Sequence, residues 1–238
     1  MTKEELLKVA KPILFNTEMV KAILDCRKTV TRRCVKYKYD NTEMKMHTDK
    51  YGTRLIEIQR DVEGETHGKN PDGSTWHKLL PYIEKIAPFK KGDILYVRET
   101  WGCYQETWAD ASYFLYRADY PEGATTYLYS DGEHVCDLPK WKPSIHMPKE
   151  AARIFLRVKD VRVERLQEMN EVDTAKEGIR TDVQTHRLDD PDFIENFGGI
   201  DKFKTLWNST IKKEDINTYG WDANPYVWVI EFERIEVE

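Results

Sequence analysis

The sequence lacks a long apolar run, a closely spaced cysteine pair and a leader-like beginning. No stretch approaches the ~20 apolar residues that span a bilayer, so we expect no membrane segment. The 4 cysteines are scattered without a CxxC pair, which argues against a disulfide framework in a chain of 238 residues. The first residues are charged, and this predicts no signal peptide. Together these absences predict a protein of the reducing cytoplasm.

The chain also lacks an excess of positive charge. Its formal net charge is −5, whereas a protein that grips long DNA by charge alone is basic. The charge is uneven, however, because residues 20–38 hold seven Lys or Arg side chains and one acid, Asp25. Such a stretch predicts a local anion site, and an ordinary solvated face is the alternative. A short or single-stranded ligand held in a pocket fits this composition.

What the sequence does contain is a set of strands separated by connections of varied length. The predicted strands cover residues 12–15, 94–99, 153–165 and 226–232. The apolar alternation of residues 153–165 changes phase near Lys159-Asp160, which predicts a β-bulge or bend. We find no βαβ repeat and no internal repeat. This pattern favours an α+β fold with a small, bent β-barrel and short flanking helices.

The helices are predicted from caps and apolar spacing. Asn16 or Thr17 is expected to cap the first helix, which buries Val20, Ile23 and Leu24. Asn170 is expected to cap a short helix over residues 171–177 that Gly178 ends. Two further helices are predicted, one opening at Asp190-Pro191 and one covering residues 200–210.

Two polar segments interrupt this framework and predict insertions in a single domain of residues 1–238. The first, at about residues 37–90, contains the turn sequence Asn70-Pro71-Asp72-Gly73 and is expected to be a long loop. The second, at about residues 102–140, is expected to contain an aromatic hairpin at Tyr113–Tyr116.

Several blocks of the sequence resemble the ASCH domain family. Residues 27–33, Arg-Lys-Thr-Val-Thr-Arg-Arg, resemble the family signature (G)-x-K-x-x-T-x-R after the first helix. Further blocks follow in the family's order: Gly92-Asp93 with Val97-Arg98-Glu99-Thr100-Trp101, then residues 141–148, 161–166, 177–179 and 224–232. The later blocks resemble those of long, phage- and prophage-associated members. Cys26 departs from the pattern, because the family usually has Gly there; if that Gly serves a positive φ, Cys26 changes the local turn geometry.

The resemblance implies a PUA-like barrel whose central cleft holds a nucleobase or nucleoside. Compact members of the family include amidohydrolases that remove the acetyl group from N4-acetylcytidine. Their catalytic Lys and Thr correspond to Lys28 and Thr31, and their catalytic Glu corresponds to Glu177. Other relatives are read as RNA-binding modules or ribonucleases. The expected partner is therefore a modified nucleoside or short single-stranded RNA, and no cofactor is expected.

The residues permit this chemistry but leave an alternative open. A Thr hydroxyl needs a neighbouring base to attack an amide, and Lys28 serves as one only when it is unprotonated. Burial and nearby arginines both lower the pKa of a lysine. Glu177 would orient Lys28 or shuttle the proton. Alternatively, Lys28 and Thr31 form a phosphate-binding pair in a module without turnover.

Six further residues are candidates for contact with the substrate: Arg27, Arg33, Glu99, Trp101, His146 and Asn224. An arginine near Thr31 would stabilise an oxyanion, and Trp101 would stack on a base or simply fill the core. Glu99 would bind a base edge or form a structural ion pair. His146 would line the cleft, act with Lys28 in a metal-independent ribonuclease, or be structural. Asn224 would form a rim before the last strand.

A metal site is the least favoured interpretation. Cys103, His134 and Cys136 lie in the second insertion, and His-x-Cys is a conceivable ligand pair. Zinc sites normally supply four ligands, and a fourth is not evident in the sequence. We therefore expect no metal.

Overall fold

The computed structural model describes residues 1–38, 42–50, 52–59, 86–106, 111–128, 135–180 and 198–237. Its helices are α1 (Lys3–Val9), α2 (Thr17–Leu24), α3 (Glu171–Lys176), α4 (Gly199–Thr210) and α5 (Ile216–Tyr219). The first strands are β1 (Lys11–Leu14), β2 (Val30–Cys34), β3 (Thr42–Asp49), β4 (Gly52–Gln59) and β5 (Ile94–Arg98). The later strands are β6 (Trp101–Glu106), β7 (Ala111–Tyr116), β8 (Thr126–Leu128), β9 (Val135–Asp137), β10 (Phe155–Arg165) and β11 (Tyr226–Ile235).

The centre of the molecule is a five-stranded sheet in the order β1-β5-β10-β11-β2. Strand β1 runs parallel to β5, and the other neighbours are antiparallel. Short helices flank this sheet, so the α+β class predicted from the sequence is confirmed.

The predicted barrel is not closed in the part of the chain that the structure describes. Strands β1 and β2 are the two edges of the sheet and have no ladder between them. A side chain joins them instead, since the guanidinium of Arg33 on β2 donates to the carbonyl oxygen of Leu14 on β1 at 2.7 Å. Strand β1 ends at Leu14, and the chain continues to Asn16, which caps α2. We call this gap between the edges of β1 and β2 the seam.

The bulge predicted in the long strand is confirmed. The pairing of β10 with β11 shifts register between Val158 and Asp160. Before the shift, Leu156 and Val158 are buried in the main core. After the shift, Val161 and Val163 still pack against that core. A bulge of this kind bends a strand. Across this bulge the apolar side chains of β10 stay on the face of the sheet that packs on the main core.

A second apolar cluster covers the outer face of β11 and holds α4 beside β2. Val227 and Val229 of β11 pack with Phe203 and Trp207 of α4. The ring of Trp207 also donates to the carbonyl oxygen of Tyr219 at 2.8 Å. This packing positions α4 along one side of the seam.

The predicted helices are largely confirmed, with one outside the described residues. Asn16 caps α2 by accepting from the amide of Met19, and Leu24 is only partly buried. Asn170 caps α3, and Gly178 follows it with φ +86°. The helix predicted to open at Asp190-Pro191 lies outside the described residues.

Both insertions contain hairpins. In the first, β3 pairs with β4, and the core contains Met44 and Leu55, so this part is not the long loop that we expected. The turn sequence of residues 70–73 lies outside the described residues. In the second, β6 and β7 form the predicted aromatic hairpin, and β8 pairs with β9. Among the helices of the described ranges, none has the length and apolar character to cross a membrane.

Candidate functional site

A cavity of about 600 Å³ lies where the seam meets α4, and we call it the seam cavity. Its size falls within the roughly 300–1,000 Å³ typical of small-molecule sites. The apolar side chains that line it are Leu14, Phe15, Met19, Pro143, Phe203, Leu206, Trp207 and Ile211. The neutral polar side chains are Asn16, Thr31, Cys34, Thr100, Ser144 and Thr210. The charged side chains are Lys28, Arg32, Arg33, Lys36 and Glu177.

The turn after α2 places Lys28 at the wall of this cavity. The amides of Arg27 and Lys28 both donate to the carbonyl oxygen of Ala22, at 2.9 and 3.0 Å. Cys26 makes this turn possible by adopting φ +58°, a left-handed conformation that favours glycine. The position at which the ASCH family usually has Gly therefore does require a positive φ in this chain, and Cys26 adopts it.

Gly178 brings Glu177 against Lys28. A Cβ at position 178 would lie 2.6 Å from the Cβ of Ala22 and 3.0 Å from that of Lys28. Because glycine has no Cβ, the end of α3 packs directly on the stem of Lys28. A larger residue here would separate the two elements that form the site.

The ammonium group of Lys28 is buried and has three hydrogen-bond acceptors. It donates to a carboxylate oxygen of Glu177 at 2.6 Å, to the carbonyl oxygen of Glu177 at 2.9 Å and to that of Val30 at 2.7 Å. Three acceptors match the three N–H groups of a protonated lysine. Burial lowers the pKa of Lys28 from its ordinary value of 10.5, while the carboxylate of Glu177 opposes this shift.

Glu177 joins Lys28 to a second buried cation. Its other carboxylate oxygen accepts from Arg32 at 3.2 Å. The same guanidinium lies 3.6 Å from both Glu164 and Asp173. Lys28, Arg32 and Glu177 are each no more than 4% exposed. Because an unpaired buried charge is costly, each member of this cluster fixes the position of the others.

Thr31 reaches the same cavity from β2. It pairs in register with Ile230 of β11, and Arg32 pairs with Val229. Successive strand residues alternate in direction, so Thr31 and Arg32 leave β2 on opposite faces. Thr31 is 2% exposed and lines the seam cavity, although its hydroxyl is not one of the partners of Lys28.

Arg33 is the one predicted substrate-contacting residue that lines the seam cavity. Its guanidinium carbon lies 5.3 Å from the centre of the Phe15 ring, and one of its N–H groups binds Leu14 across the seam. Its remaining donors therefore lie beside the cavity, where they can bind an anion or an oxyanion.

Arg27, Glu99 and Trp101 do not line the seam cavity and have structural partners. Arg27 binds Asp25 and the carbonyl oxygen of Gly178, which supports the turn behind Lys28. Glu99 is held by both sides of the Arg153 guanidinium, at 2.9 and 3.0 Å. Trp101 is 7% exposed in the core next to α1.

His146 and Asn224 also lie away from the cavity lining. His146 is exposed in the short turn Ser144–His146 and does not line the cavity, whereas Lys28 is buried and does. Asn224 adopts φ +47°, and its side chain accepts from the amide of Gln167 at 2.9 Å. Asn224 thus supports the local chain path.

Several lining residues were not candidates from the sequence. Asn16 was expected only as a cap; because its side-chain oxygen accepts from Met19, its NH₂ group is left to donate. Trp207 lies in the helix predicted over residues 200–210, where it packs in the apolar cluster and also lines the cavity. The position of Asn16 directly after a strand end was a usable signal, but nothing in the sequence places Trp207 near β2.

No group of three or more metal-ligating side chains occurs within the described ranges. Neither Cys103 nor Cys136 forms a disulfide in the described part of the chain. His134, the third member of the conceivable zinc set, lies outside the described residues.

The seam cavity combines four cations, one carboxylate and an aromatic wall. Such a lining suits a flat, partly apolar ligand that carries polar or negative groups. A buried amine beside a carboxylate and a hydroxyl also supplies the groups for proton transfer at an acyl carbon. No family model, curated protein or solved structure matches the chain.

Proposed function

We propose that the chain is a PUA-like domain of the ASCH type that hydrolyses an acyl-amide on a modified pyrimidine nucleoside. One observation carries the proposal: Lys28 and Glu177 lie 149 positions apart in the sequence and form a 2.6 Å ion pair in the cavity that Thr31 also lines. These are the three side chains that the resemblance to N4-acetylcytidine amidohydrolases singles out.

The fold supports the family assignment in two ways. The central sheet contains a register shift typical of a bulge in β10, and Arg33 and Leu14 connect its two edge strands by a hydrogen bond. The positive φ of Cys26 also explains why the family usually has Gly at this point of the signature.

The proposed reaction starts from the neutral amine of Lys28, which Glu177 orients. The neutral amine then takes the proton of the Thr31 hydroxyl while that oxygen bonds to the acyl carbon. The C–N bond of the amide breaks, and Lys28 returns the proton to the leaving nitrogen. This step gives the deacylated nucleoside and an acyl ester on Thr31. Water cleaves this ester with Lys28 again as base, so that the acid leaves and the hydroxyl is restored. Arg33 and the NH₂ group of Asn16 would stabilise the oxyanion.

The proposal is tested with N4-acetylcytidine and purified protein. We expect release of cytidine and acetate in equal amounts without added metal. Thr31→Ser should keep turnover, because the hydroxyl remains. Thr31→Val should lose at least ~100-fold, since the nucleophile is gone while the side-chain volume is kept. If Thr31→Val is as active as the unmodified chain, the role assigned to Thr31 is wrong.

A second function has one specific observation in its favour. All three N–H groups of the Lys28 ammonium are satisfied, which suits a fixed positive charge in a binding module better than a base. Such a reader of modified bases would bind N4-acetylcytidine and release no acetate. Binding with a 1:1 stoichiometry and no product after prolonged incubation would favour the reader over the hydrolase.

A further inference from the structure

A second cavity of about 710 Å³ adjoins the seam cavity along the same gap in the sheet. The two cavities share the side chains of Leu14, Arg33, Cys34 and Lys36 as a common wall. The second cavity continues towards the other end of β1 and towards residues 86–89. We call it the flanking cavity.

We infer that the flanking cavity holds the neighbouring nucleotide of a single-stranded nucleic acid whose modified base occupies the seam cavity. This inference rests on the proposed function for the occupant of the seam cavity and adds the class of the substrate: a strand rather than a free nucleoside. Arg33 and Lys36, which belong to both cavities, are then placed at the phosphate that links the two nucleotides.

The size of the flanking cavity supports a second ligand unit. Each cavity by itself falls within the roughly 300–1,000 Å³ that encloses one small ligand. A free nucleoside would occupy only one of the two cavities and would leave the other empty. Two adjoining spaces with a shared wall suit two linked units of similar size.

The charge of the flanking cavity supports an anionic link. Arg33, Lys36, Lys38 and Arg98 line it, and no carboxylate does so among the described residues. The Nε atom of Arg98 is buried without a hydrogen-bond partner in the described part of the chain, although another of its nitrogens donates to the carbonyl oxygen of Ile145. An unsatisfied guanidinium nitrogen beside a cationic cavity suits a phosphate oxygen.

The apolar wall of the flanking cavity supports a base. Pro88 and Phe89 are at least partly exposed there, while Trp228 forms a buried floor. Stacking of bases on such side chains is tolerant of sequence, so the neighbouring base need not be modified. Because the formal net charge of the protein is −5, the positive charge that can attract a nucleic acid is confined to the flanking cavity and its surroundings. This suits a short stretch of a nucleic-acid strand.

The test compares ligands of increasing length in the Thr31→Val variant, which prevents turnover. The probes are N4-acetylcytidine, its 3′- and 5′-monophosphates, and dinucleotides that join it to uridine on either side. A deoxyribose series of the same probes distinguishes DNA from RNA as the source of the strand. Binding is measured by calorimetry at low and at moderate salt.

We expect one of the two dinucleotide orders to bind at least ~10-fold more tightly than the nucleoside, with a gain that shrinks as salt rises. Lys38→Gln and Phe89→Ala should each reduce this gain several-fold and leave nucleoside affinity unchanged. The matched control is Lys159→Gln, because Lys159 is exposed, pairs with Glu233 at 3.2 Å and lines neither cavity. Phe89 packs partly against the core, so circular dichroism is used to check that Phe89→Ala is folded. Lys38 is exposed, so Lys38→Gln tests the same cavity without a change in the core.

The outcomes separate this inference from the proposed function. If every dinucleotide binds no more tightly than the nucleoside, or if Lys38→Gln and Phe89→Ala leave the gain intact, the inference is overturned even where the unmodified chain still deacetylates the nucleoside. If the dinucleotide gain and its loss in the two variants are observed without any turnover by the unmodified chain, the inference stands and the hydrolase proposal fails.

Discussion

The ammonium nitrogen of Lys28 lies 2.6 Å from a carboxylate oxygen of Glu177, and both side chains are buried. Lys28 follows α2 and Glu177 follows α3, 149 positions later in the sequence. Their contact joins these two elements and also places an ionisable pair on the wall of the seam cavity. Structure and proposed chemistry therefore depend on the same atoms.

Neutralising Glu177 should destabilise the fold. In Glu177→Gln the side chain keeps its shape, but Lys28 and Arg32 lose their buried counter-charge, which costs about 3 kcal/mol. Urea unfolding at pH 7 measures the change. Glu18→Gln is the control, because Glu18 and Lys21 form an exposed pair 3.1 Å apart, for which we expect less than about 0.5 kcal/mol. Equal effects of the two substitutions would show that the buried cluster does not stabilise the fold.

Turnover should rise with pH. The proposed reaction needs the neutral amine of Lys28, and burial lowers the pKa of this group below its ordinary value of 10.5. A base is neutral above its pKa, so kcat should increase through a midpoint below 10.5 and then level off. A pH profile of N4-acetylcytidine deacetylation measures this midpoint. A rate that falls over the same range while the protein stays folded would exclude Lys28 as the base.

Cys26→Gly should stabilise the chain. Cys26 has φ +58°, a conformation that costs a non-glycine residue roughly 1–2 kcal/mol and that glycine adopts without this cost. The greater freedom of glycine in the unfolded chain offsets about 0.5–1 kcal/mol of the stabilisation. We expect a net gain of about 0.5 kcal/mol in the free energy of unfolding. Cys136→Gly is the matched control, because Cys136 lies in strand β9, where glycine weakens the structure. A loss of stability in Cys26→Gly would contradict the assignment of strain to this residue.

Cys34 should resist alkylation at neutral pH. It is partly buried on the wall shared by both cavities, and burial raises its pKa to about 11. At pH 8 only about 0.1% of this thiol is then the reactive thiolate. Site-resolved mass spectrometry with iodoacetamide should show Cys26, which is exposed, modified well before Cys34. The rate at Cys34 should increase towards pH 11; modification of both at similar rates at pH 8 would contradict the raised pKa.

Local features of the fold were predictable because their signals are local. The phase change at Lys159-Asp160 and the Asn170 cap with Gly178 behind it depend on neighbouring residues, and both are found. The open seam was not predictable in this way. It depends on where β1 ends relative to β2 and on one hydrogen bond between Arg33 and Leu14, which are 19 positions apart.

The same distinction applies to the site. Lys28, Thr31 and Glu177 were reached through the resemblance to a family, and the structure brings them to one cavity. Glu99 was expected to bind a base edge or to form a structural ion pair, and it forms an ion pair with Arg153, which is 54 positions away. Whether a charged side chain faces a ligand or a partner is decided by tertiary contacts, which the residue type does not encode.

The bond between Arg33 and Leu14 has a consequence for how the chain behaves among its copies. An edge strand with open carbonyl and amide groups is a template on which another chain can add a strand. A guanidinium that occupies a carbonyl of β1 removes one rung of that template and sets a positive charge beside it. The side chain that lines both cavities therefore also protects the sheet against edge-to-edge aggregation.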